Sequence, residues 1–168
     1  MKKIISLLIL SSLTFHVFGQ EKFLDILPLQ DSIVTYSGVV QVDSADMNTL
    51  YLRAKKWFVM TYKSAKDVIQ LDDKENGEIT GKGDFKIEYY NLAPNISHTI
   101  SIFVKDGRYK YVITQFSYSD TLGNKFAIED IPKVWIGKKK LCAKVDEEAQ
   151  VIIMSIEKSM KMKTDDNW

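Results

Sequence analysis

The chain has 168 residues, 23 basic and 22 acidic side chains, and 45% apolar residues. A polypeptide so close to neutral lacks the cationic field with which nucleic-acid binders neutralise phosphates. Its apolar content excludes a disordered chain, and a single cysteine excludes an intrachain disulfide framework.

The first nineteen residues read as an export signal. Lys2 and Lys3 precede an apolar run from Ile4 to Leu10, extended through Leu13, Phe15, Val17 and Phe18. Val17 and Gly19 then occupy the −3 and −1 positions of a signal-peptidase site. The run is too short for a membrane span, and no later stretch approaches one. No cysteine follows it, which disfavours lipid attachment. Cleavage after Gly19 leaves 149 residues (168 less 19), starting at Gln20, with 21 basic against 22 acidic side chains because both signal lysines leave. That is one domain's worth of chain, long enough to bury a core without staples. The expected destination is the periplasm or the medium.

Residues 20–32 form a lead-in of undefined structure. Ile33 to Val42 reads as a strand with Val34, Tyr36, Val40 and Val42 on one face. Asp43 or Ser44 can cap a helix, in which Leu50, Ala54, Trp57, Phe58 and Thr61 recur at helical spacing. Val68–Leu71 is a short strand closed by the polar turn Asp72–Gly77. From Ile79 to Tyr89 apolar and polar residues alternate, with Gly81 and Gly83 on the apolar side. Missing side chains there leave room for a packed helix, and Trp57 is the candidate filler.

Asp106-Gly107 sits between two alternating runs and favours a type I′ hairpin that pairs Lys105 with Arg108. That register puts Ile100, Ile102, Val104, Tyr109, Tyr111 and Ile113 on one face, expected beneath the helices. Thr99, Ser101, Phe103, Lys110, Val112, Thr114 and Phe116 share the other. Weakly periodic residues follow Tyr118. A last helix over 146–162 starts at Asp146, with Glu147 and Glu148 at its positive end, Lys158 and Lys161 at its negative end, and a core stripe of Ala149, Ile152, Ile153, Ile156 and Met160. Residues 163–168 form a frayed tail. The sum is an α+β fold: a single curved antiparallel sheet with two helices packed on one face, in one domain over 33–162.

Leu50-Tyr-Leu-Arg-Ala-Lys-Lys-Trp57-Phe58, Ile79-Thr-Gly81-Lys-Gly83 with the Val68–Gly77 stretch before it, and Asp106-Gly107-Arg108-Tyr-Lys-Tyr111 together resemble domain of unknown function 4468. That is a family of exported bacterial proteins with a fold like the TATA-binding protein. The resemblance covers roughly residues 33–118. It implies a sheet with helices on one side and brings no activity, cofactor or catalytic residue. It does not imply DNA binding, since fold does not fix function.

Local chemistry adds little. His98, the one histidine of the mature chain, sits at a hairpin end beside Gln115 and lacks partners for catalysis or metal binding. Asp72–Gly77 echoes a calcium loop, but Lys74 and Gly83 occupy ligand positions. Lys138, Lys139, Lys140 and Lys144 suit an anionic surface or, more simply, a solvated loop. Cys142 reads as a buried thiol. Asp31-Ser32-Ile33, Asp43-Ser44-Ala45 and Asp120-Thr121-Leu122 match the Asp-Ser/Thr-aliphatic pattern of O-glycosylation in some Gram-negative bacteria, making Ser32, Ser44 and Thr121 candidate positions. Each also serves as an ordinary cap or turn residue.

These features point to a non-enzymatic module that binds a protein or envelope component through Phe103, Lys110, Val112, Thr114 and Phe116. The rival is that the lead-in or residues 119–140 cover that face. The alternative class is a cell-envelope hydrolase or hydrolase inhibitor whose carboxylates no motif places.

Overall fold

The structure, a computed structural model, describes residues 22–43, 45–62, 64–88, 94–119, 123–131 and 137–162. Residues 1–19, read above as an export signal, Ser44, Thr121 and residues 163–168 lie outside the described residues.

The alternating runs become the centre of a six-stranded antiparallel sheet. Its strands are β4 (Tyr36–Gln41), β5 (Ile69–Asp73), β6 (Glu78–Lys86), β7 (Asn95–Lys105), β8 (Arg108–Ser119) and β9 (Lys125–Ala127). They run in the order β4-β8-β7-β6-β5, with β9 pairing the far end of β8. Lys105 pairs with Arg108 as expected. One sheet face is buried under α1 (Met47–Thr61) and α3 (Lys138–Lys161), which give a curved sheet its helical layer. A four-residue helix, α2 (Ala65–Val68), precedes β5. Ile79, Ile100, Ile102, Val104, Tyr109 and Ile113 are all buried on that face. Each of the aliphatic side chains among them contributes about 1.5–3 kcal/mol when taken fully out of water.

The lead-in is ordered from residue 22. Strands β1 (Lys22–Phe23), β2 (Leu27–Gln30) and β3 (Ile33–Val34) form a small sheet of their own. Ile33 to Val42 is therefore two strands, broken at Thr35, rather than one. Gln30 pairs with Ile33 across Asp31-Ser32, whose φ angles are 51° and 65°. Two successive positive values define the type I′ turn. That turn was expected at Asp106-Gly107, but there only Gly107 is positive (72°), the sign pattern of a type II turn. The hairpin tip answers to its neighbours instead of to its own preference. Gly107 N–H donates to the Ala45 carbonyl (2.9 Å), and the Asp106 carboxylate accepts from Met47 N–H (2.8 Å).

The same contacts delay α1. Because the Ala45 carbonyl is taken by the hairpin tip, the helix starts after Asp46, whose carboxylate accepts from Thr49 N–H at 2.7 Å. Asp46, not Asp43, is the cap. Phe58 and Tyr62 fill the spaces over the two glycines: a Cβ at Gly81 would lie 2.5 Å from the Phe58 ring, and one at Gly83 would run into Tyr62 Oη. Trp57, the expected filler, turns instead toward α3 and donates from Nε1 to Ser155 Oγ (3.0 Å). Thr61, expected on the buried stripe, is exposed, and Tyr51 is buried in that layer.

The last helix starts eight residues before the expected Asp146. Leu141, Cys142 and Val145 continue its buried stripe toward the N-terminus. Its cap is Gly137 at φ 93°, with no side-chain hydrogen bond, so the start carries no capping signature in the sequence. Asp146 lies inside the helix and accepts from Tyr36 Oη at 2.7 Å, tying α3 to β4. Glu147 and Glu148 are likewise interior, whereas Lys158 and Lys161 do end the helix. The lysine run forms the first turn, not a solvated loop. Lys138 is buried, with Nζ 5.5 Å from the Phe23 ring centre. Cys142 is buried, and burial pushes its thiol up to about 11.

Candidate binding face

The sheet face away from the helices carries side chains in cross-strand rows fixed by register. Val39, Lys110, Phe103, Glu78 and Asp73 make one row, from β4 across to β5. Ser37, Val112, Ser101, Thr80 and Leu71 make the next. Thr35, Thr114, Thr99 and Lys82 stand in a third. Hydroxyls bind one another along these rows: Thr35 Oγ1 to Thr114 Oγ1 at 2.9 Å and Thr80 Oγ1 to Ser101 Oγ at 2.7 Å. Such pairs stiffen the surface and fix its side-chain directions.

The two ends of the face differ. Near Thr35 it is closed, for Thr35 is buried. Near the hairpin it is open: Val39 is 61% exposed, Lys110 is exposed, and Phe103, Val112 and Thr114 are half-buried. Val39, Phe103, Lys105, Arg108, Tyr109 and Lys110 line a shallow depression of about 250 Å³ there. The lead-in packs against α3 and the 3₁₀ turn Ile128–Asp130 rather than over this end. Val34 N–H, for instance, donates to Glu129 Oε1 at 2.5 Å.

Four of the five expected contact residues thus share one face, and the fifth does not. Phe116 is buried on the helix side, 1% exposed. A β-bulge moves it. Thr99 pairs with Thr114, but Ser97 pairs with Ser117, so two residues of β8, Gln115 and Phe116, stand opposite His98 alone. Gln115 takes the extra position at φ 55°, and every later side chain of β8 changes face. Val39 belongs to the patch and was missed. Its signal was an apolar residue at an outward position of β4.

His98 lies within β7, not at a hairpin end, and is buried. Its ring lies between Phe85 (centroids 5.3 Å apart) and Phe116 (5.8 Å), with Tyr62 Oη 3.4 Å from Nε2. Burial pushes its pKa down to about 4 against the opposing charge of Asp84. A ring held neutral in an aromatic sandwich is core packing. Among the described residues no group of three or more His, Cys, Asp or Glu side chains is placed to hold a metal ion. In the Asp72–Gly77 turn, Asp72 accepts from Tyr51 Oη and pairs with Lys55 Nζ, and Asp73 caps the turn through Asn76 N–H. Lys55 and the Tyr51 hydroxyl hold the Asp72 carboxyl below the usual range. Ser32 is exposed on its type I′ turn, while Ser44 and Thr121 lie outside the described residues.

Residues 36–119, half of the chain, match the family model described as a domain of unknown function (DUF4468) with TBP-like fold. The chain belongs to this family. No curated protein matches it. A TBP-like protein from Parabacteroides distasonis ATCC 8503 superposes with a TM-score of 0.71 at 14% identity, over 80% of this chain and 97% of that one. A DUF4468 family protein from Bacteroides ovatus ATCC 8483 gives 0.68 at 18% identity, over 83% and 92%. At such identities these two likenesses show the fold alone. The matched segment runs from the first residue of β4 to the last of β8, so it contains the open face whole and stops short of α3.

Proposed function

We propose that this protein is an exported, non-enzymatic binding module that meets a protein or envelope component through the open end of its sheet. One observation carries the reading. Val39, Phe103 and Val112 expose apolar surface amid ordered hydroxyls and lysines on the sheet face away from the helical core. An apolar centre with a polar rim is the anatomy of a recognition patch. The order of residues 1–19, basic start, apolar run and small residue at the cleavage site, supports export to the periplasm or medium.

The test is capture from native envelope extract with the mature chain as bait, comparing wild type with Phe103→Ser. Partners should be recovered by wild type and lost with the variant, while both melt alike. Equal recovery by the two baits overturns the reading. N-terminal sequencing of the natively expressed protein should give Gln20 in the extracytoplasmic fraction. An intact Met1 in the cytosol removes the export half.

A further inference from the structure

β4 is an edge of the large sheet, and half of its backbone has no strand beside it among the described residues. Val42 N–H donates to the Gly107 carbonyl at 2.8 Å. By the two-residue period of a strand, the N–H and C=O groups of Val40, Gly38 and Tyr36 also point to β8. Their register partners there are Tyr109, Tyr111 and Ile113. Ser37, Val39 and Gln41 therefore aim their N–H and C=O groups outward. Natural edges are blunted by lysine, proline, bulges or brevity. β4 reads Tyr-Ser-Gly-Val-Val-Gln, uncharged and without proline, and pairs with β8 without a register shift. The side chains of Ser37, Val39 and Gln41 are all exposed on the open face.

The charged residues paired with this edge across the strands have one sign. Val39 faces Lys110 and Gln41 faces Arg108, which in turn faces Lys105. These three cations line the depression with Phe103. The carboxylates of the same row, Glu78 and Asp73, stand on β6 and β5, at the far side of the sheet.

We propose that an extended acidic segment of a partner polypeptide adds to β4 as a further strand. Its backbone pairs with Ser37, Val39 and Gln41, and its carboxylates meet Lys110 and Arg108. The inference rests on the reading of the open end as a binding surface and names the chemistry of the partner. A glycan or lipid headgroup would engage the cations and ignore the backbone edge. A second copy of this chain would engage the edge with an uncharged strand.

The experiment titrates the mature chain with three synthetic probes: a short peptide alternating glutamate and valine, its lysine counterpart, and the acidic peptide N-methylated at alternate residues. Val39→Pro removes one outward N–H while sparing the bonds to β8, since an edge strand tolerates proline where its N–H faces away. Lys110→Glu reverses the nearest charge. The acidic peptide should bind, and Val39→Pro, Lys110→Glu and N-methylation should each weaken it about tenfold or more. Should Val39→Pro lower the melting temperature, N-methylation on the wild type makes the same comparison. The inference is overturned if the lysine peptide binds as well, or if the acidic peptide fails at millimolar concentration. Sensitivity to Lys110→Glu alone overturns it in favour of a glycan or headgroup. A concentration-dependent dimer abolished by Val39→Pro overturns it in favour of self-pairing. If Phe103→Ser still abolishes envelope capture in any of these cases, the binding reading survives and only strand addition is lost.

Discussion

Phe116 stacks on His98, ring centres 5.8 Å apart and planes 26° apart, because one extra residue in β8 carries it through the sheet. The aromatic that strand alternation assigns to the open face is thereby a core residue. It also packs edge-on against Tyr36 at 5.8 Å. Phe116→Ala should cost about 3–5 kcal/mol in chemical denaturation, the usual loss for a buried ring. Phe103→Ser should cost less than about 1 kcal/mol, as a half-exposed position does. Similar losses at both sites would contradict the bulge.

His98 gives the fold an acid sensitivity of its own. Its pKa falls from 6.5 to about 4 on folding, so between those values the unfolded chain binds a proton that the native state refuses. Stability is then complete above pH 6.5 and is lost as pH falls toward 4, by up to about 3 kcal/mol. The perturbed carboxylates Asp46, Asp72 and Asp73, all shifted down from 3.8, act below that window. Denaturation midpoints of wild type and His98→Leu across pH 4–7 separate the two. A wild-type slope that survives in the variant assigns the effect elsewhere.

Gly81 and Gly83 are spatial requirements. Gly81→Ala should destabilise by about 1–3 kcal/mol, the cost of overpacking against the fully buried Phe58. In a Phe58→Leu background the penalty should shrink, giving a favourable coupling in a double-mutant cycle. Additive losses would place Phe58 elsewhere.

The turns can be tested in opposite directions. Ser32 sits at φ 65°, so Ser32→Gly should stabilise by about 1 kcal/mol. Gly107→Val should cost on the order of 1 kcal/mol or more through backbone strain alone, since nothing lies within 4 Å of a Cβ there. Thermal melts decide both. A stabilised Gly107→Val would refute the positive φ.

The legible parts of the fold were those in which a period runs unbroken. Strands β6, β7 and the first half of β8 followed from alternation, and counting in twos from the Lys105–Arg108 pair placed Phe103, Lys110, Val112 and Thr114 on one face. The count failed at Gln115, where no glycine marks the bulge. The type I′ turn at Asp31-Ser32 escaped for the same reason, a positive φ carried by residues with side chains. Helix α3 was cut short because Gly137 caps it without a side chain and Lys138–Lys140 resemble a loop. The edge of β4 is a property of neighbours, and a sequence records only its own residues.

Phe58 and Tyr62 enter the two vacancies above Gly81 and Gly83 as dowels enter sockets. A helix pinned in that way can neither slide along β6 nor lift from it without first withdrawing both rings. Whatever docks on the opposite side of the sheet meets a backing plate that does not yield, so its association should follow rigid-body kinetics, with one exponential phase and a rate proportional to concentration.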